Sequence, residues 1–189
     1  MQFKSILTLL CAVMLLCLQG CAIGLRNEPL PEVNRLDLNS GTQGTRKVQI
    51  KLQAGTPQAK LRERIEKTKT NLETLISNAG LATIVQTAAE ADVVIDANYY
   101  YDPAGAGPFI SLISFGLIPA THTNDFRIEA KVWRGTQSKA YDLHDGYTNV
   151  MWWPLIIAAP FKPAFTDDPI IDNLLRNFVQ RLKADGTFN

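Results

Sequence analysis

Residues 91–101 read Ala91-Asp92-Val93-Val94-Ile95-Asp96-Ala97-Asn98-Tyr99-Tyr100-Tyr101, and their alternation decides the fold. Val93, Ile95, Ala97, Tyr99 and Tyr101 recur at every second position, with Asp92, Val94, Asp96, Asn98 and Tyr100 between them. Successive strand side chains point to opposite faces, so the pattern predicts a strand with one buried and one wet face. The same period flanks it. Upstream, Val48, Ile50 and Leu52 alternate with Lys47, Gln49, Lys51 and Gln53; downstream, Phe126, Ile128, Ala130 and Val132 alternate with Arg127, Glu129, Lys131 and Trp133. Arg134-Gly135-Thr136-Gln137 supplies a hairpin turn into a further strand over 139–150, and 81–86 reads as a short strand.

Two segments carry the helical period instead. Thr56 and Pro57 supply an N-cap and an N1 proline, after which Leu61, Ile65, Leu72, Leu75, Ile76 and Ala79 mark one face up to Gly80. Asp168-Pro169 opens a closing helix with Ile170, Ile171, Leu174, Leu175, Phe178, Val179 and Leu182 on its buried side and Gly186 past its end. The expected fold is α+β: a mostly antiparallel sheet with two helices on one face, in the order β-α-β-β-β-β-α. Ile95, Ile128, Leu174 and Phe178 are expected inside, Asp96 and Lys131 outside. With the third strand running opposite to the first, the two long connections, after the third and fifth strands, are expected at the end where the chain enters.

The 189 residues suit one domain, and 19 basic against 18 acidic residues give no electrostatic reason to propose nucleic acid as a partner. All three cysteines, Cys11, Cys17 and Cys21, lie in the first 21 residues, which excludes a disulfide framework or cysteine-based zinc site in the body. Behind the single charge of Lys4, Ile6–Leu18 is an uncharged run of 13 residues. A bilayer core needs roughly 20, so the run reads as a secretory signal.

It ends in Leu18-Gln19-Gly20-Cys21, which resembles a bacterial lipobox. The resemblance implies cleavage before Cys21, diacylation of its thiol and acylation, with palmitate-type chains, of the new amino group. Ala22, in the next position and not an aspartate, resembles outer-membrane sorting, facing the periplasm. The rival is ordinary cleavage after Gly24, with Ala22 and Gly24 as the small pair. The chain then divides into a signal peptide at 1–20, a lipidated N-terminus and flexible tether at 21–46, rich in Pro, Asn and Gly, and a single α/β periplasmic domain at 47–189. Leu75–Ile95, with Ala79-Gly80-Leu81 and Ala91-Asp92-Val93-Val94-Ile95, resembles small α/β envelope assembly lipoproteins; this implies architecture and no active site.

Catalytic signals are sparse. His122 and His144 stand in no metal-ligand spacing, so neither a metal nor another cofactor is expected. Asp142, His144 and Asp145 are the constellation a hydrolase would use, because a histidine base needs a carboxylate to orient it. No Gly-x-Ser-x-Gly accompanies them, and Ser111 and Ser114 lie in an apolar run. Asp92 and Asp96 are expected to pair with Arg127 and Lys131 across the open sheet face.

Apolar sequence is the unusual feature. Between Asp102 and Asp125 lie 22 residues without a charge, and between Asp145 and Lys162 another 16, both broken by proline or glycine and therefore connections. Connections are normally polar. Phe109, Phe115, Trp152 and Trp153 are thus the candidate contacts to a membrane or an envelope protein partner. The sequence favours a non-enzymatic, membrane-anchored protein. Its rivals are a module binding a lipid or other apolar ligand between the 103–124 and 146–161 loops, and a hydrolase using His144. The loops could equally fold over each other as a satellite core.

Overall fold

The computed structural model describes residues 22–39, 44–55, 61–106, 109–110, 113–114, 117–152, 154–155 and 164–189. The strands are β1 (Ala22–Asn27), β2 (Lys47–Ala54), β3 (Thr83–Ile84), β4 (Val93–Ala104), β5 (Ala120–Arg134) and β6 (Gln137–Met151). The helices are α1 (Arg35–Asn39), α2 (Leu61–Asn78) and α3 (Asp167–Ala184), with a 3₁₀ turn at Ala88–Glu90. The class is α+β, and the sheet is mixed, in the order β1-β6-β5-β4-β2-β3. Every element expected from the periodicity is present; β1 and α1 are additional.

β2 pairs in parallel with both neighbours. Val48 faces Val93, Ile50 faces Ile95 and Leu52 faces Ala97 along β4, while Lys47 and Val48 face Thr83 and Ile84 of β3. The third expected strand therefore runs with the first, not against it. The reason lies in β3, which is two residues long rather than the expected 81–86. From so short a strand the 85–92 connection can return to the start of β2, where Val85 N–H donates to Val48 O (2.9 Å) and Asp92 N–H to Lys47 O (2.8 Å). The connection after β4 consequently leaves at the C-terminal end of β2, opposite to the expected end.

The chain forms two compact units. One comprises Glu28–Asp102, Asp125–Gly146 and Asp167–Asn189; the other comprises Pro103–Asn124, Tyr147–Thr166 and the residues up to Asn27. The larger unit holds the helices. Ile95, Tyr99, Phe126, Ile128, Leu174 and Phe178 are fully buried in it, with Leu72 and Ile76 of α2. All seven apolar residues assigned to the inner side of α3 are buried. Both long helices end as their glycines predict: Leu81 N–H bonds Ile76 O (3.1 Å) past Gly80 at φ 64°, and Thr187 N–H bonds Leu182 O (3.0 Å) past Gly186 at φ 68°. A positive φ at this position costs glycine nothing and closes the last turn. The proposed cap at Thr56 and Pro57 lies outside the described residues.

Within the stretch expected to be a flexible tether, residues 22–39 carry secondary structure. Ala22–Asn27 is a strand, Arg35–Asn39 a helix, and Val33 and Leu38 are buried. Two buried asparagines one helical turn apart on α3 explain the docking. Asn177 Nδ2 donates to Pro31 O (2.8 Å), and Asn173 Nδ2 to Leu30 O (3.4 Å) while its Oδ1 accepts Val33 N–H (3.2 Å). Lys183 Nζ donates to Leu38 O (3.0 Å) at the end of α1. A proline-rich segment forms few bonds of its own, and α3 supplies them.

The Tyr99 hydroxyl is buried with no hydrogen-bond partner among the described residues. Burial pushes the phenol up from its ordinary value, and the nearby Arg64 guanidinium only partly offsets this. Removing that oxygen removes an unsatisfied group, whereas emptying the core opens a cavity. In chemical denaturation, Tyr99→Phe is expected to leave stability unchanged or raise it by up to about 1 kcal/mol, while Phe178→Ala costs about 3–5 kcal/mol.

Candidate functional site

Within the smaller unit, β1 lies beside β6. Gly24 allows close approach of the Phe165 ring, since any side chain there would occupy the ring's position. Asn27 Nδ2 donates to Thr148 Oγ1 (3.0 Å), and Thr148 Oγ1 meets Thr123 Oγ1 at 2.9 Å. Asn149 holds Phe165 at both backbone groups, accepting its N–H (2.9 Å) and donating to its carbonyl (3.0 Å). Tyr147 and Asn124, both buried, bond each other at 2.7 Å. Polar side chains thus organise this unit's interior, and many of its apolar ones face out.

In the 103–124 connection Phe109, Ile110 and Ile113 are helical, with Ile110 N–H bonded to Ala106 O (3.0 Å) and Ser114 N–H to Ile110 O (3.1 Å). Ser114 closes the turn: its hydroxyl donates to Ile110 O (2.7 Å), and its carbonyl accepts Leu117 N–H (3.0 Å). Phe109, Ile113 and Leu117, spaced by four, are 66%, 62% and 68% exposed, and Ile118 is 56% exposed. Trp152 comes from the other apolar connection, 38% exposed, its indole N–H donating to Leu117 O (3.3 Å). This hydrogen bond joins the two connections whose sequences carry no charge over 22 and 16 residues. Leu25 on β1 adds a further exposed leucine. Phe115, Trp153 and Cys21 lie outside the described residues.

Leu25 is absent from the sequence-based candidates because 21–46 reads as tether. The signal that could have found it is the alternation of Ala22, Gly24 and Arg26 with Ile23, Leu25 and Asn27, too short to stand alone.

The larger unit's sheet face away from the helices is polar and internally paired. Arg127 grips Asp142 with a two-pronged contact, Nε to Oδ1 at 2.8 Å and Nη2 to Oδ2 at 2.6 Å, and also meets Glu129 at 2.8 Å. Tyr100 donates to Glu129 (2.9 Å), and Lys131 lies 4.1 Å over the Trp133 ring. The expected cross-strand pairs with Asp92 and Asp96 are therefore replaced. The hairpin brings Asp142 from the adjacent strand to Arg127, and Asp92, just before β4, instead accepts Lys47 N–H (2.8 Å).

The residues named for a hydrolase make the following contacts. His144 Nε2 lies 3.7 Å from Asp125 Oδ1, both half-exposed, while Asp142 is held by Arg127. Asp145 is buried and accepts Gly146 N–H (2.8 Å).

No family model matches the chain, and no curated protein matches it. Among solved structures it is similar to a PelC dodecamer, a point variant from Paraburkholderia phytofirmans, at 8% identity and TM-score 0.37, covering 85% of this chain and 96% of that one. It is also similar to a PDZ domain protein from Parabacteroides distasonis, at 11% identity and TM-score 0.32, covering 90% of this chain and 36% of that one. Likenesses this weak transfer neither fold detail nor activity.

Two carboxylates of the larger unit, Asp142 on the open face and Asp185 after α3, set an acid sensitivity. The hydrogen bonds from Arg127 hold the Asp142 carboxyl below its ordinary value of 3.8, and those from Lys139 and Tyr141 do the same for Asp185. As pH falls, the unfolded chain takes up these protons first, so the stabilisation is complete above the ordinary carboxylate range and lost as pH drops through the lower folded values. Arg127→Gln is expected to flatten the dependence of stability on pH between about 5 and 3, read as urea midpoints across that range. An unchanged slope would show that Arg127 contributes nothing to it.

Proposed function

We propose that this chain is a non-enzymatic lipoprotein of the bacterial cell envelope, anchored through acylated Cys21 in the outer membrane on its periplasmic side, where it supports or assembles with another envelope component. The observation that carries this reading is the placement of Leu18-Gln19-Gly20-Cys21 directly before a unit that exposes Leu25, Phe109, Ile113, Leu117, Ile118 and Trp152. Acyl chains contribute about 0.8 kcal/mol per buried methylene, so three of them hold a protein at a membrane essentially permanently. Removing residues 1–20 removes Lys4 and no acid, leaving a formally neutral protein with 18 basic and 18 acidic residues. The non-enzymatic reading draws support from the commitment of Asp142 to Arg127, which takes that carboxylate away from a histidine base.

Cys21→Ser is expected to abolish metabolic acyl labelling and to shift the protein from the membrane fraction to the soluble one. In-cell crosslinking of the acylated protein is expected to yield adducts with a second envelope protein. A wild-type chain that carries no acyl label and fractionates like Cys21→Ser would defeat the assignment.

A further inference from the structure

We infer that the surface made by Leu25, Phe109, Ile113, Leu117, Ile118 and Trp152 is immersed in the headgroup and upper acyl region of a phospholipid bilayer. The inference rests on the lipid anchor proposed at Cys21 and adds what the anchor does to the fold. Ala22, the residue after Cys21, is already the first residue of β1. Consecutive α-carbons are about 3.8 Å apart, so the acylated residue has no slack. A flexible tether of about 25 residues would have let the body float some 25–30 Å away. With β1 starting at once, the unit to which β1 belongs must itself meet the lipid surface.

Three properties of that unit suit lipid rather than a protein partner. Its apolar groups are large and outward: Phe109, Ile113, Leu117 and Ile118 are each more than half exposed, and large apolar side chains of this kind are what an interfacial segment buries in lipid. It has no acid. The residues 22–27, 103–124 and 147–166 contain no aspartate or glutamate, and Arg26 and Lys162 are their only formal charges, so the unit has no net repulsion toward anionic headgroups. Trp152 adds a ring of the kind that concentrates at membrane interfaces, and its indole N–H is satisfied by Leu117 O, so its burial in lipid leaves no unpaired donor. Exposed apolar area of this kind in water is the mark of an interaction surface.

The test uses the full acylated chain. With Cys11 and Cys17 removed in the leader and the Cys21 thiol acylated, a single introduced cysteine is the only free thiol. Ile113→Cys and Leu117→Cys, both at exposed sites, and Leu36→Cys in the larger unit, 73% exposed, would each be labelled with an environment-sensitive fluorophore. The proteins would be reconstituted in phosphatidylethanolamine–phosphatidylglycerol vesicles and probed with aqueous iodide and with nitroxide-bearing lipid. Labels at 113 and 117 are expected to lose most of their iodide quenching and to be quenched by the lipid nitroxide, with the label at 36 showing the reverse. Labels at 113 and 117 as open to iodide as the one at 36 would overturn the inference. Labels shielded from iodide yet untouched by the lipid nitroxide would overturn it too, because protein, either the chain's own loops or a second copy, would then cover the surface. Intact mass of the same samples reads the anchor separately. Acylated protein with iodide-accessible labels refutes the immersion alone, whereas an unacylated mature chain refutes the anchor and the immersion with it.

Discussion

A parallel strand pair cannot be closed by a tight turn, and the pairing of β2 with β4 imposes that constraint on everything after it. Seven consecutive residues of β2, from Val48 to Ala54, face Val93 to Tyr99, and the register places Ile50 beside Ile95 under the helices. To achieve this the chain leaves β2, crosses as α2, adds the two residues of β3 on the far side and returns through 85–92. The direction of β4 is thereby fixed, and it decides at which end the apolar 103–124 connection emerges. Arg64, from the crossing helix, then reaches Asp167 at 2.6 Å and stacks 4.4 Å over Tyr101, tying α2 to the start of α3 and to β4. One strand register thus sets both the core and the direction of β4.

Much of this was legible from residues 91–101 and their neighbours because period-2 alternation is a local property that needs no knowledge of partners. The burial of Val93, Ile95, Ala97 and Tyr99, and of the whole inner side of α3, follows from it. Strand direction was not legible, since Thr83 and Ile84 look the same whether the chain turns back or crosses over. The docking of 28–39 was hidden for a different reason. Its bonds run from Asn173 and Asn177 to carbonyls about 140 residues away in sequence, and two asparagines on the apolar side of a helix do not announce what they hold. The exposure of Phe109 could be suspected from composition, but only the turn closed by Ser114 shows Phe109, Ile113 and Leu117 facing outward together.

Residues 22–27, which the sequence reads as part of a tether, form a strand beside β6, in the same compact unit as 103–124 and 147–166. The extra strand therefore does more than lengthen the sheet. It makes the position of residues 22–27 a consequence of hydrogen bonding and packing, through Asn27 on Thr148 and Gly24 under Phe165, instead of a matter of chain statistics.

The two surfaces also differ in how much free energy they leave unrealised. On the open face of the larger unit Arg127 is shared between Asp142 and Glu129, Glu129 accepts from Tyr100, and Lys131 sits on Trp133. Exposed pairs of this kind are worth about 0–1 kcal/mol each, and together they leave little field to attract a charged ligand. The smaller unit has the opposite character, with its polar side chains turned inward on one another and phenylalanine, isoleucine, leucine and tryptophan presented to water. Burying apolar area stabilises by roughly 25 cal/mol per Å², a gain that this unit forgoes until something apolar covers it. On the proposed anchoring through Cys21, a bilayer would be the covering that requires no additional partner to be recognised.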